Sequence, residues 1–293
     1  MAQTTPTIDA DLVRRLLRRQ FPEWADLPIR PVRAQGWDNR TFRLGDALLV
    51  RLPSAEAYAS QVEKEQTWLP RLAPFLPVRI PEPRGFGRPG EGYPWSWSIY
   101  RWIGGSAAAA IGLPELLAKD LAEFLLALHK ADTSGGPAPA AHNFFRGGSL
   151  SVYSAQNHEA VSRLTDESWA KRASEIWRQA TTSSSDGKPV WIHGDFAAGN
   201  LLLRRGRLAA VIDFGCMAIG DPACDLVIAW TLLPTAARKV FKAALKFDEQ
   251  TWARAKGWAL WKALILATGL VVGPTEGVET SQKVLTDLLS DER

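Results

Sequence analysis

A chain of 293 residues, 46% hydrophobic and 23% charged, has enough apolar surface for one large core or two lobes, which excludes a disordered protein. Its net charge of +4 suits a small anionic ligand but is too weak for a nucleic-acid binder. Two cysteines, Cys216 and Cys224, exclude a disulfide framework and lack metal-site spacing; there is no apolar leader and no run of about 18 apolar residues, so a cytoplasmic, reduced protein with no membrane span is expected.

Residues 9–21 place Leu12, Val13, Leu16 and Leu17 on one helical face and Arg14, Arg15, Arg18 and Arg19 on another. Such a basic amphipathic helix can lie on a membrane, but its short apolar face favours packing on its own lobe. Residues 30–53 are expected as strands, with a hairpin joining 41–44 to 47–52 through Gly45-Asp46. A helix over 56–72 carries Glu63, Glu65, Trp68, Leu69 and Leu72, and another strand runs from Trp97 to Ile103.

Past Gly105 the character changes. Leu117, Leu121, Phe124 and Leu128 form one stripe of a helix over 113–131, Ser134–Pro139 and Thr181–Gly187 are loops, and 225–289 is mostly helical. A strand-rich part at 1–102 followed by a larger, mainly helical part at 103–293 defines an α+β, bilobal arrangement with a cleft between the lobes. The thirteen tryptophans are expected as core filler rather than as a surface for stacking bases.

The most informative stretch is VWIHGDFAAGNLLLRRGRLAAVIDFG, residues 190–215. Val190–Ile192 is an apolar strand ending at His193, and Leu201–Arg204 and Leu208–Ile212 form a hairpin around Gly206-Arg207. That pairing sets Leu201 opposite Ile212 and Asn200 opposite Asp213, at the open end of a buried ladder, with Asp195 on the loop leading in. Clustered oxygen ligands suit a hard cation, above all Mg²⁺, which takes one or two carboxylates and completes its shell with water and phosphate.

His-x-Asp-x-x-x-x-Asn followed by Asp-Phe-Gly is the catalytic-loop and metal-binding signature of kinases. It is present as His193-Gly194-Asp195, Asn200 and Asp213-Phe214-Gly215. Phosphoryl transfer needs alignment and charge neutralisation more than covalent help. Asp195 is the expected acceptor of the substrate hydroxyl proton, Asn200 and Asp213 the expected Mg²⁺ ligands, and His193 the residue that orients the loop. Gly194 stands where protein kinases usually have Arg.

HGDFAAGNLL, AVIDFG and GDPACDL resemble the bacterial aminoglycoside phosphotransferase family, whose fold is protein-kinase-like; the resemblance spans roughly residues 30–270. It implies a small antiparallel-sheet lobe, a larger mainly helical lobe, and transfer of the γ-phosphate of ATP or GTP to the hydroxyl of a small molecule, antibiotic or metabolic. It also implies Arg51 in LLVRLP as the phosphate-anchoring base, with a helix Glu as partner; VEKEQ offers Glu63 and Glu65, and the family's spacing favours Glu65. Gln35–Arg40, with Gly36, takes the place of a phosphate-covering loop. Tyr100 and Trp102 are expected at the crossing between lobes, their backbone groups bonding the base edge and their side chains packing. Asp225 is expected to cap a helix start.

The acceptor is less defined. Between residues 225 and 273 there are three acidic residues (Asp225, Asp248 and Glu249) against seven basic ones, the reverse of what a polycationic aminoglycoside would favour. A less cationic, partly apolar hydroxylated acceptor is therefore expected, with Trp252, Trp258 and Trp261 on helix 249–268. A protein kinase is disfavoured by the missing Arg after His193 and the absence of an Ala-Pro-Glu element. A nucleotide-binding module without catalysis is disfavoured by the joint presence of Asp195, Asn200 and Asp213.

Overall fold

The fold is that of a computed structural model describing residues 7–32, 38–107, 114–185, 187–272 and 275–290. Helix α1 (Ala10–Gln20) opens with Asp9, whose side chain accepts the Leu12 N–H. Its apolar face lays Leu12, Val13, Leu16 and Leu17 against a five-stranded antiparallel sheet. That sheet has the order β1 (Ile29–Pro31), β2 (Asn39–Leu44), β3 (Leu48–Pro53), β5, β4, with β4 at Pro83–Gly87 and β5 at Trp97–Arg101. Leu44 pairs with Leu48, so the predicted hairpin closes through Gly45–Ala47, with Gly45 at φ +55°. Helix α2 (Glu56–Leu72) crosses from β3 to β4.

A short strand β6 (Ser106–Ala107) leads towards α3 (Pro114–Lys130), followed by α4 (Ser154–Ser162) and α5 (Glu167–Thr182). Strands β7 (Val190–Ile192), β8 (Leu201–Arg204), β9 (Arg207–Val211) and β10 (Ala218–Gly220) make two small sheets, β6-β8-β9 and β10-β7. Helices α6 (Ile228–Thr231), α7 (Thr235–Leu245), α8 (Glu249–Ala267) and α9 (Thr275–Leu289) complete the described chain.

Two hydrophobic clusters organise these elements. One joins α1 to Phe42, Val50, Leu52, Trp97 and Ile99 of the large sheet. The other joins α3, α5, α7, α8 and α9 to the two small sheets, and it also takes in Leu69 and Leu72 of α2 and Tyr100 of β5. Among the described residues no helix is long and apolar enough to cross a membrane.

The β8–β9 hairpin differs from the expected register. Its turn is Arg205-Gly206, both at positive φ (53° and 75°), a two-residue turn whose twist matches the flanking strands. Leu203 pairs with Leu208, but Leu202 pairs with Ala210 and Leu201 with Val211, so Ala209 is bulged out. The bulge frees the Ala209 carbonyl to accept the Arg79 N–H at 3.4 Å, while the Val211 N–H donates to the Arg79 carbonyl at 3.0 Å. Asp120 of α3 pins the other end, taking Arg207 Nε at 2.8 Å, Arg207 Nη2 at 2.6 Å and the Leu208 N–H at 3.1 Å. The turn, one residue earlier than expected, shifts the pairing by two, and the bulge returns one of these, so the open end is one residue out of step with expectation. It is the Ile212 N–H that meets the Asn200 carbonyl, at 2.9 Å.

Candidate active site

The catalytic loop is built on a ring stack. Phe124 of α3 stacks on Phe196 (centroids 5.6 Å apart, 2° between planes), and His193 lies against both Phe196 and Phe214. His193 is fully buried. Its Nε2 faces the Ile212 carbonyl at 3.0 Å, and its Nδ1 accepts the Asp195 N–H at 3.2 Å. Those partners assign the proton to Nε2, because a carbonyl can only accept. With both ring nitrogens engaged, His193 orients the loop, as expected, and has no free nitrogen for a reacting group.

Asp225 does not cap a helix. Its buried carboxylate accepts the backbone N–H groups of His193 at 2.7 Å and Gly194 at 2.8 Å. Burial pushes its carboxyl up, against the pull of His193 and these two N–H donors. The capping role falls to Asp221, which accepts the Ala223 N–H at 3.1 Å and pairs with Arg254 at 2.6 Å. Gly194 has φ +79°, and a Cβ there would run into the Cys216 carbonyl, so the position occupied by Arg in protein kinases admits only glycine here.

Asp195 keeps 39% of its side chain exposed. Asn200 Nδ2 donates to its carbonyl at 2.8 Å and to its Oδ2 at 3.1 Å, while Lys262 Nζ of α8 sits 3.0 Å from Oδ1. Burial favours the neutral acid, but Lys262 and Arg146 outweigh it and hold the Asp195 carboxyl well below the usual carboxylate range. The amide of Asn200 thus spends its N–H donor on Asp195, leaving its oxygen as the end able to face a cation.

Across the cleft, Arg51 of β3 bridges two acids. Its Nη1 lies 3.3 Å from both oxygens of Glu65, and its Nη2 lies 2.6 Å from Asp213 Oδ1. Of the two candidate helix glutamates, Glu65 is the partner, and it is also the acceptor of a short hydrogen bond from the Tyr100 hydroxyl. Burial and the neighbouring Glu65 push the Tyr100 hydroxyl far up, so it stays a donor. Asp213 itself sits in the left-handed region (φ 68°, ψ 65°), a conformation that costs a non-glycine residue about 1 kcal/mol or more and that recurs at functional sites.

Tyr100 pairs within the sheet with Leu49 on one side and Pro83 on the other, and the Trp102 N–H donates to the Ala47 carbonyl at 2.8 Å. Tyr100 is thus paired on both sides and the Trp102 N–H is taken, while the Trp102 carbonyl accepts no backbone hydrogen bond among the described residues. Their side chains do pack, with Tyr100 on Glu65 and the Trp102 ring under the Arg43 guanidinium at 4.1 Å. Ile103, the next residue, lines the cleft, and its N–H makes no backbone hydrogen bond among the described residues. Gly36 and its neighbours from 33 to 37 lie outside the described residues.

Asp38, Arg51, Tyr100, Trp102, Asn200 and Asp213 all line one cleft of about 520 Å³, whose other walls include Leu49, Ile103, Leu202 and Ile212. Its lining combines apolar side chains with the charged Asp38, Arg51 and Asp213, a composition that suits a flat ring carrying an anionic tail. Burial, and secondarily Asp213, raise the Asp38 carboxyl to about 6. Tyr100, Asp225, Lys262 and Arg146 were not read as members of the catalytic network from sequence. Their partners lie 31 to 67 positions away along the chain where bonds are recorded, beyond the reach of any spacing rule.

Residues 29–258 match the phosphotransferase enzyme family (APH), and the chain belongs to that family of phosphotransferases. No curated protein sequence matches the chain. Among solved structures, it is similar to the GDP and kanamycin complex of APH(2″)-IIIa, at 20% identity over 96% of this chain and 99% of that one, with a TM-score of 0.75. It is also similar to the streptomycin–ATP complex of APH(2″)-IIa, at 18% identity over 97% of this chain and 98% of that one, TM-score 0.61. The macrolide 2′-phosphotransferase MphH from Brachybacterium faecium matches at 20% identity over 97% of this chain and 99% of that one, TM-score 0.60. At such identities the likeness speaks for the fold: the kinase-like, α+β architecture expected from the sequence is the one found.

Proposed function

We propose that this phosphotransferase moves the γ-phosphoryl group of a Mg²⁺-bound nucleoside triphosphate, ATP or GTP, to the hydroxyl of a small acceptor. Residues 1–102 are taken as the nucleotide-binding lobe and 103–293 as the catalytic and acceptor-binding lobe. The observation that carries the proposal is that Arg51, Asn200 and Asp213 line one cleft, with Glu65 bonded to Arg51 and Asp195 bonded to Asn200. Relatives in fold that hold GDP or ATP beside an antibiotic support the same substrate pair.

Asp195 accepts the hydroxyl proton. Its lowered pKa keeps it ionised at neutral pH, and a carboxylate with one bond on each oxygen retains lone pairs for an incoming O–H. Arg51, locked by Glu65 and Tyr100, anchors the phosphate tail. Among the described residues no cluster of three His, Cys, Asp or Glu could hold a metal unaided. One carboxylate and one amide, Asp213 and Asn200, fit Mg²⁺ as it is bound in nucleotide sites, with phosphate and water completing its shell. The ion supplies neutralisation of phosphate charge. The protein supplies alignment, and the base opposite. The base-edge contact is assigned to the backbone at Ile103.

The test is Mg²⁺-dependent nucleotide binding by wild type and Asp213→Ala, measured by calorimetry. Affinity is expected to fall about tenfold or more in the variant, the loss of one charge-assisted contact. Unchanged affinity, or binding indifferent to Mg²⁺, would move the metal site elsewhere.

A further inference from the structure

Asp195 is attended by two cations, Arg146 and Lys262, that do not line the cleft. The α3–α4 connection carries Arg146, whose guanidinium lies 4.8 Å from the centroid of the Trp261 ring and 5.7 Å from that of Trp258. Tyr153 lies tilted against Trp261 with ring centroids 3.9 Å apart, and Gln156 accepts the Trp261 indole N–H, so the shelf beneath the guanidinium is fixed in place. Arg146 Nε is buried with no hydrogen-bond partner among the described residues, and the guanidinium acts on Asp195 through its charge alone. An arginine fork that is half-buried, stacked on an aromatic ring and unpartnered has already lost its rotamer freedom, which is the state in which it takes a carboxylate or phosphate with least further cost.

Lys262 supplies the second cation, one-third exposed and 3.0 Å from Asp195. Lys64 of α2, buried and hydrogen-bonded at 2.9 Å to His142 rather than to an acid, adds a third positive charge. Against these stands Asp195, which is already paired. A polycationic acceptor brought to Asp195 would meet uncompensated like charge. An anionic one would give the Arg146 guanidinium the hydrogen-bond partner that its Nε lacks among the described residues.

We propose that Arg146 and Lys262 form an anion-binding subsite beside Asp195, so that the acceptor is a hydroxylated molecule carrying a carboxylate or phosphate group. This rests on the phosphoryl-transfer reading above. Arg146 grips the anionic group on the Trp261 shelf. Lys262 bridges it to Asp195 and sets the hydroxyl at the base. The same cations could instead face the phosphoryl group in flight, and the experiment separates the two sources of negative charge.

The probe is inorganic phosphate, titrated by calorimetry into the full chain already saturated with Mg²⁺ and a non-hydrolysable nucleoside triphosphate analogue, which fills the γ-position. Saturable binding of phosphate to the loaded protein is expected. Arg146→Ala should weaken it about tenfold or more, the loss of a charge-assisted pair. Small hydroxy acids should displace the phosphate, and their methyl esters and polyamines should not. Lys262→Met, which leaves the aromatic shelf intact, is the second variant should Arg146→Ala fail to fold, and it too should weaken phosphate. Binding seen only when ADP replaces the analogue would assign the cations to the transferred phosphoryl group and overturn the proposal. Phosphate affinity absent, or unchanged in both variants, would also overturn it. Failure of the analogue itself to bind would instead defeat the phosphoryl-transfer reading, and this inference with it.

Discussion

Arg51 holds Glu65 and Asp213 with one planar fork, and both ends of the Arg51–Glu65 pair are close to fully buried. A lysine keeps the charge but, as a point donor, cannot serve both acids. Arg51→Lys should therefore lower the melting temperature and weaken nucleotide binding together, whereas Arg51→Ala, stranding a buried carboxylate, should cost about 3–5 kcal/mol of stability. Denaturant unfolding with a parallel nucleotide titration measures both; an Arg51→Lys protein as stable as wild type would show that the fork is not required. Asp38 gives a pH test. Its folded value of about 6 lies above the unfolded 3.8, so it contributes stability that is present below pH 3.8 and lost as pH rises through about 6. The stability of wild type relative to Asp38→Asn should accordingly fall between pH 4 and 6 and stay flat above, and a flat difference throughout would contradict the burial assigned to it. At this scale spacing and residue chemistry singled out Asp195, Asn200 and Asp213, the family resemblance singled out Arg51 and Glu65, and folding brings the five close together. Tyr100 lies in β5 and Trp102 just past it; which backbone groups such a segment leaves free depends on its neighbours, and Ala47, just before β3, takes the Trp102 N–H.

Elements position the site through a few tethers. The catalytic loop hangs from Asp225, with Phe196 and His193 stacked beneath it. Asp225→Ala would leave two buried N–H groups unpaired, at about 1–3 kcal/mol each, and so should lower thermal stability while also slowing turnover. A variant as stable and active as wild type would show that the loop is held otherwise. The long helices over 10–20, 56–72, 114–130 and 249–267 were legible from their apolar period, nearly to the residue. No element was expected over α4 and α5, where small and polar residues dilute that period. The β8–β9 pairing was off by two at the turn, because the turn is Arg205-Gly206 rather than Gly206-Arg207, and the bulge at Ala209, which answers to Arg79 more than a hundred positions earlier, brings it back to one at the open end.

At the scale of the molecule, two apolar clusters flank a cleft, and α2 and β5 contribute to the larger one, so the two parts are coupled by packing as well as by the Arg51–Asp213 bridge. The bilobal plan was visible in the sequence as the change from strand-rich to helix-rich composition near Gly105; the acceptor side was not, because Arg146, Trp261 and Lys262 meet only on folding. A Mg²⁺-nucleotide that draws both parts together should raise the melting temperature, by the equivalent of about 2.7 kcal/mol at one hundred times its dissociation constant. The most direct measurement is single-turnover transfer from a γ-labelled nucleotide to an accepted hydroxyl compound, in wild type and Asp195→Asn, each saturated with Mg²⁺-nucleotide. The chemical step should slow by about 10²–10⁴-fold in the variant while nucleotide affinity stays within about twofold; transfer at the wild-type rate would contradict the assignment of Asp195 as the base and, with it, the proposed use of this cleft.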